Sequence, residues 1–327
     1  MRFVQSCTAA AGCLTLEPLS PVVGAEVQHF DLVAALDADD PAALAARLRA
    51  ALDEHGLLLF RDQRDLTPEH HVRTAKLFGE VFPLPPRFQH ERSPAPTEIL
   101  RMSNDAAEGF AGVGASGWHI DGTSYEAPFP LALMRIVHAF PERSGPTLFL
   151  PMAPLAERVR RRAPAWERLW VRNGAGTHPL LFRGPRGQVG VCLGKAKSFA
   201  WDLGGPGERA TDADETAAVL AALDGDVAAV AGDGGVYRHE WRTGDLVVVD
   251  NVAVAHLAAP ETQTPRDIAG LRVLDRVVVA GVPGRDALAP LGGEAQLVVE
   301  GEVPQLRLLL ELHQLDLVPA EEGRRQA

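Results

Sequence analysis

Two stretches of this chain carry residue types that together bind a redox metal. Trp118-His119-Ile120-Asp121-Gly122 sets an imidazole and a carboxylate two positions apart. On a strand, residues i and i+2 share a face, so His119 and Asp121 present their ligand atoms side by side. The second stretch, Trp241 to Asn251, runs from a turn at Thr243-Gly244 through an apolar strand toward His256. Two histidines and one carboxylate on one face of a metal leave coordination positions open, as non-haem Fe(II) sites that use O2 require. His119 and His256 are far apart in the chain, so they meet only if a barrel or sandwich joins their strands. Each motif alone has an ordinary explanation too. The HxD pair serves equally as a carbonyl-bonded histidine and a turn aspartate, and His256 as a packed loop histidine.

Arg272 and Arg276 stand four apart in the apolar run Leu271 to Val279, hence on one face of a strand. An arginine turned inward there needs an anionic partner, because an unpaired buried charge costs several kcal/mol. A guanidinium matches a carboxylate through two parallel hydrogen bonds, which a dicarboxylate co-substrate supplies. A neighbouring protein acid would satisfy Arg276 equally. Arg266 is a rival anchor, but it follows Pro265 in a loop, so Arg272 is preferred.

The elements that must position these residues follow from pattern. Leu14 to Leu32 is apolar with Pro18, Pro21 and Gly24, and reads as short strands. Asp40 caps a helix with Pro41 in its first turn and a Leu44, Leu48, Leu52 stripe, ended by Gly56. Leu57 to Phe60 is a buried strand. Thr67-Pro68-Glu69 opens a second helix, which Gly79 ends. Residues 80–117 are rich in Pro, Gly and Ser and read as a long loop, a length that suits a lid over the site. From Trp118 onward, short apolar runs (131–137, 147–150, 189–193, 245–249, 273–280) alternate with Gly and Pro. This is the texture of an antiparallel barrel or jelly roll, with helical inserts near 154–170 and 213–223. The fold class is α+β, mostly β, with flanking helices, in one domain over 1–327.

Composition narrows the partners. Of 327 residues, 46% are hydrophobic and 23% charged, enough to build a core without staples. The net charge of −11 repels phosphate backbones, which argues against nucleic acid. Three cysteines (Cys7, Cys13, Cys192) without CxxC spacing form no disulfide framework, and a reducing cytoplasm fits them. Ala10 to Cys13 superficially resembles a lipoprotein cleavage site, but the residues before it are too few and too polar for a signal. No run reaches the ~18 apolar residues that span a bilayer.

In order along the chain, these blocks resemble the taurine dioxygenase family, the TauD/TfdA-like Fe(II)/2-oxoglutarate oxygenases. Pro18 to Ala25 looks like the family's N-terminal strand and turn. Gly56 to Gln63 (GLLLFRDQ), Leu66-Thr67-Pro68 and Leu77-Phe78-Gly79-Glu80 look like its second block. Trp118 to Asp121 is similar to its metal-binding WHxD. Gly145 to Leu148 looks like its co-substrate strand, and His178 to Leu181 with Gly187 like its central segment. Gly244-Asp245, Asp250-Asn251 and His256 resemble its distal histidine block, and Arg272 to Arg276 its closing RxxxR strand.

The resemblance implies a double-stranded β-helix, a cupin-like jelly roll. It implies His119, Asp121 and His256 as ligands of Fe(II), and Thr147 and Arg272 as the holders of the 2-oxoglutarate distal carboxylate. Arg276 then faces an anionic small-molecule substrate, and Tyr125, Phe199 and Trp201 are candidates for an apolar wall. The implied reaction consumes O2 and 2-oxoglutarate, gives succinate and CO2, and oxidises an unactivated C–H bond, most simply by hydroxylation. Desaturation or oxidative cleavage would use the same site. Asp121 stands where related halogenases have a small residue, so halogenation is not expected. A homodimer or tetramer is implied as well. Gly114 to Gly117 replaces the substrate-binding Asn of taurine-type enzymes, so taurine itself is not the expected substrate. Two competing readings stay open: a cupin-like zinc or manganese enzyme, which has no use for Arg272 or Thr147, and a non-catalytic binding protein.

Overall fold

Apolar runs with no polar alternation need cover on both faces, and that demand organises the structure. The computed structural model describes residues 14–38, 40–112, 117–142, 145–194, 198–202 and 209–291. Cys7, Ala10 to Cys13, and Gly114 to Ser116 lie outside the described residues. The first elements are β1 (Leu16–Pro18), β2 (Ala25–Val27), α1 (Leu32–Ala38), α2 (Pro41–His55), β3 (Leu57–Phe60), α3 (Pro68–Lys76) and β4 (Leu100–Ser103). Next come β5 (Leu131–His138), β6 (Thr147–Pro151), α4 (Met152–Arg162), β7 (Leu169–Asn173), β8 (Gly176–Pro179), β9 (Leu181–Arg183), β10 (Val189–Val191), β11 (Ser198–Trp201) and β12 (Arg209–Ala210). The rest are α5 (Ala213–Gly232), β13 (Tyr237–His239), β14 (Leu246–Asp250), β15 (Val254–Ala258), α6 (Arg266–Ala269), β16 (Val273–Val278) and β17 (Ala289–Pro290). All described residues fall in one compact unit, Met1–Ala295.

A seven-stranded sheet of order β1-β2-β3-β14-β5-β16-β4 forms one wall, and a three-stranded sheet β13-β6-β15 the other. The ladders are antiparallel except where β2 meets β3. β14 shows why the sequence did not alternate. Val247 and Val249 point into the core between the sheets with Phe149, Trp241 and Val254. Leu246 and Val248 point outward beneath Leu44, Leu48, Leu52 and Val72 of α2 and α3. Burying each such side chain contributes about 1.5–3 kcal/mol, so β14 is anchored from both sides. A third cluster backs the smaller sheet, where Leu150 and Ala255 pack against Leu155 and Val159 of α4 and Val219 and Leu223 of α5.

α2 forms as its sequence predicts. The Asp40 side chain accepts from the Ala42 N–H, and Gly56 closes the helix in a left-handed turn at φ 70°. α3 starts at Thr67 as expected but ends at Lys76, before Gly79. Leu77 and Phe78 turn their N–H groups back onto Thr74 and Ala75 in a tightened last turn. α4 stops at Arg162 because Pro164 cannot continue it, and a 3-10 turn over Pro164–Arg168 follows. α5 runs past the expected 223 to Gly232, since Gly225 sits in open space and does not break it. The stretch 80–117 is not all loop. β4 lies inside it and pairs with β16 at the edge of the large sheet. Among the described residues, no helix is long and apolar enough to cross a membrane.

Candidate metal centre

β15 and the segment after Gly117 meet through one reciprocal backbone pair. His119 N–H donates to the His256 carbonyl at 3.2 Å, and His256 N–H to the His119 carbonyl at 3.0 Å. Directly opposed residues of an antiparallel pair project side chains to one face. The two imidazoles accordingly stand 4.3 Å apart, ring centre to ring centre. Alternation sends Ile120 into the rear cluster and brings Asp121 back beside His119. One ligand atom from each of His119, Asp121 and His256 lies within 4.8 Å of the others.

Asn251 fixes the carboxylate's backbone. Its Oδ1 accepts from the Asp121 N–H at 2.8 Å, and its Nδ2 donates to the Asp121 carbonyl at 2.9 Å and the Phe129 carbonyl at 2.6 Å. The next residue, Gly122, turns at φ 87°, and a Cβ there would lie 2.6 Å from the Phe129 nitrogen. Only glycine fits that approach.

The donor set suits a divalent cation. His119 Nδ1 lies 2.8 Å from the Gly117 carbonyl, which only accepts, so Nδ1 carries the hydrogen and Nε2 keeps its lone pair. Nε2 of His119 is 3.7 Å from Asp121 Oδ1, and Nε2 of His256 is 3.7 Å from Oδ2. Burial, then the adjacent His119, pushes the His256 imidazole down to about 3, which keeps it neutral at neutral pH. Burial pushes the Asp121 carboxyl up, but Arg276, His256 and His119 together outweigh it and hold the group below its usual range. Asp121 Oδ2 is buried without a hydrogen-bond partner. A buried anionic oxygen left unsatisfied is costly, and a metal ion at this point relieves it.

Thr147 and Arg272 sit on opposite walls of the core, on β6 and at the head of β16. The Thr147 hydroxyl is buried and accepts from Trp241 Nε1 at 3.0 Å. Arg272 is only 4% exposed, its Nε has no partner, and burial pushes its pKa down to about 10. Its rival Arg266 lies on α6, paired with Asp105 at 2.9 Å beside an open surface groove. Of the two candidate anchors, Arg272 is the buried one, with no partner for its Nε among the described residues.

Arg276 donates from Nη1 to Asp121 Oδ1 at 2.7 Å, so a protein acid satisfies it here. Tyr125 packs in a cluster of rings with Phe82 and Phe129, at centroid distances of 5.1 and 5.3 Å. Burial raises the Tyr125 pKa, while Arg87 and Arg276 pull the other way. Phe82 belongs to the segment read as loop, and it reaches this inner face because its N–H bonds the Val278 carbonyl. Phe199 and Trp201 do not wall the site. β11 turns Phe199 into the rear cluster, and Trp201 packs against that cluster.

Two residues that hydrogen-bond to candidate site residues, Asn251 and Trp241, were not singled out by type and spacing. Asn251 entered only as part of an Asp-Asn pair, and Trp241 only as the first residue of the stretch that leads to it. Their signal was that both are polar-tipped side chains flanking an apolar strand, where burial demands a specific partner.

Residues 15–273 match the family model described as taurine catabolism dioxygenase TauD, TfdA family. An alpha-ketoglutarate-dependent sulfate ester dioxygenase of Pseudomonas putida is 26% identical over 324 residues, covering 87% of this chain and 93% of that protein. A taurine dioxygenase structure from Burkholderia xenovorans superposes with TM-score 0.64 at 26% identity, covering 86% of this chain and 96% of that one. A putative alpha-ketoglutarate-dependent taurine dioxygenase from the same organism gives TM-score 0.64 at 24% identity, covering 86% and 99%.

Proposed function

The chain belongs to the taurine catabolism dioxygenase TauD, TfdA family, and from that premise we propose an Fe(II)- and 2-oxoglutarate-dependent oxygenase whose small-molecule substrate carries a sulfur oxyanion. The observation that carries this reading is the convergence of His119, Asp121 and His256, each offering one ligand atom at a single point. Bound Fe(II), with O2 and 2-oxoglutarate, supplies the oxidising chemistry that gives succinate and CO2 and hydroxylates an unactivated C–H bond.

The chain's own residues bind and orient. His119, Asp121 and His256 hold the metal on one face. Arg272, a buried cation whose Nε has no partner among the described residues, receives the distal carboxylate of 2-oxoglutarate, and the Thr147 hydroxyl assists it. Arg276 borders the same space and offers its remaining N–H donors to the anionic head of the substrate. Its pairing with Asp121 ties the substrate subsite to the metal site. Phe82, Tyr125 and Phe129 give that space an apolar side. The names of the relatives support the head group, since sulfate esters and taurine both end in a sulfur oxyanion.

We read the two facing sheets with their shared core as a double-stranded β-helix in a single domain over the described residues. In this reading the segment that carries Phe82 forms a lid, and the protein acts in the cytoplasm as a homodimer or tetramer. The test needs no substrate. Fe(II) and then 2-oxoglutarate, added to the purified protein without oxygen, give the visible charge-transfer band of chelated 2-oxoglutarate. The band is lost in His119→Ala and Arg272→Ala. No band in iron-loaded wild type would return the site to a cupin-like metalloprotein without 2-oxoglutarate.

A further inference from the structure

From Trp241 and Thr147 we infer that the indole N–H of Trp241 sets the direction in which the Thr147 hydroxyl donates, making Trp241 a positioning residue for the co-substrate carboxylate. This inference rests on the reading that Thr147 helps hold 2-oxoglutarate.

The geometry follows from register. β13 pairs with β6 so that His239 stands opposite Thr147. Trp241, two residues beyond His239, returns to the core with Phe149 and Val254. The indole is 1% exposed and Thr147 3% exposed, so water does not compete for their bond. His239 meets the indole edge-on, with ring centres 4.4 Å apart at 89°. His239 is itself held, its Nδ1 lying 2.9 Å from the Tyr237 hydroxyl. The indole is thus fixed before any ligand arrives.

The hydrogen-bond inventory gives the consequence. An indole N–H only donates, while a threonine hydroxyl has one hydrogen and two lone pairs. At 3.0 Å, Trp241 Nε1 takes one lone pair of Thr147 Oγ. The hydroxyl hydrogen must then point away from the indole, and it finds no acceptor among the described residues. A buried donor left unspent is costly, so the site is poised for an anionic acceptor. Without the indole N–H, the hydroxyl is free to rotate, and part of the binding energy goes into fixing it.

The experiment is calorimetric titration of 2-oxoglutarate into Fe(II)-loaded protein under argon. It is run on wild type, Trp241→Phe, Thr147→Val and the double variant. Trp241→Phe is expected to raise Kd about 5- to 10-fold, the size of one hydrogen bond's net contribution. The bound Fe(II) stays one per chain, which separates a loss of co-substrate orientation from a loss of the metal site. In the Thr147→Val background the same change should add less than about twofold, because no hydroxyl remains to orient. If Trp241→Phe fails to fold, benzothienylalanine at position 241 removes the N–H at nearly constant shape. Wild-type affinity in Trp241→Phe, or an equal loss with and without the Thr147 hydroxyl, overturns the inference and leaves the proposed function standing. No binding of 2-oxoglutarate by the wild type overturns both.

Discussion

Asn251 grips Asp121 by its peptide groups, accepting from its N–H at 2.8 Å and donating to its carbonyl at 2.9 Å. Asn251 follows the last residue of β14, and the turn after it leads into β15 with His256. Asp250 Oδ1 shapes that turn by accepting from Val252 and Ala253. One carboxamide therefore sets a carboxylate ligand relative to the hairpin that carries a histidine ligand.

Replacing Asn251 by Ala strands two buried polar groups, the Asp121 N–H and the Phe129 carbonyl, and leaves the Asp121 carbonyl with only the Phe129 N–H. At about 1–3 kcal/mol for each such loss, with partial relaxation, the expected cost is roughly 3 kcal/mol of stability. Fe(II) affinity should fall about 10- to 100-fold, as when groups that orient metal ligands are removed. Equilibrium dialysis against iron under argon and a urea melt measure the two effects. Unchanged metal affinity in a folded Asn251→Ala protein would show that the grip matters only for folding.

Arg272→Ala should weaken 2-oxoglutarate binding about 100-fold, since it removes charged hydrogen bonds worth about 1.5–3 kcal/mol each. Arg266→Ala, which breaks a surface pair with Asp105, should leave that affinity within about twofold. The opposite ranking in a binding titration would make Arg266 the anchor.

Arg276→Ala tests the substrate class. For a sulfate ester or sulfonate that the enzyme turns over, apparent KM should rise at least about tenfold. The affinity for 2-oxoglutarate should stay near its wild-type value. A KM that does not move would remove the anionic head from the proposal.

Acid should destabilise the fold through its buried imidazoles. His71 is fully buried, with Nε2 3.2 Å from the Leu133 carbonyl, and burial, then Arg135, pushes it from 6.5 down to about 3. Below pH 6.5 the unfolded chain takes up a proton that the folded chain refuses until about pH 3. Stability is thus full above pH 6.5 and falls as pH drops through that window. The slope from this group is about 1.4 kcal/mol per pH unit, or roughly 2 kcal/mol by about pH 5. His71→Gln keeps a donor for Leu133 without titrating, so its urea midpoint should fall less between about pH 7.5 and pH 5. An acid limb as steep as the wild type's would assign the loss elsewhere.

Local signals were legible where one residue type had one job. Asp40, Pro41 and Gly56 wrote α2, and the unbroken Val/Leu run of β14 stated that both its faces are covered. His119 and Asp121 were legible as a pair because strand alternation and metal chemistry ask for the same spacing, and His256 joined them through the family resemblance. Relations between distant segments were not. Nothing local to Leu100 to Ser103 says that it joins β16, because that strand is made by its partner. The Arg276–Asp121 pair was likewise hidden, since an inward arginine demands an acid without naming which one. Phe199 looked like a pocket residue because an aromatic in a glycine-rich setting reads the same whether it faces a ligand or a helix.

The reciprocal backbone pair between His119 and His256 ties the capacity to hold iron to the closing of the chain. Before that pair forms, the two imidazoles belong to unrelated segments, and helices or hairpins made earlier cannot substitute for it. The metal site therefore reports on a long-range contact, not on local structure. Iron bound by a preparation then counts molecules in which these two distant segments have met.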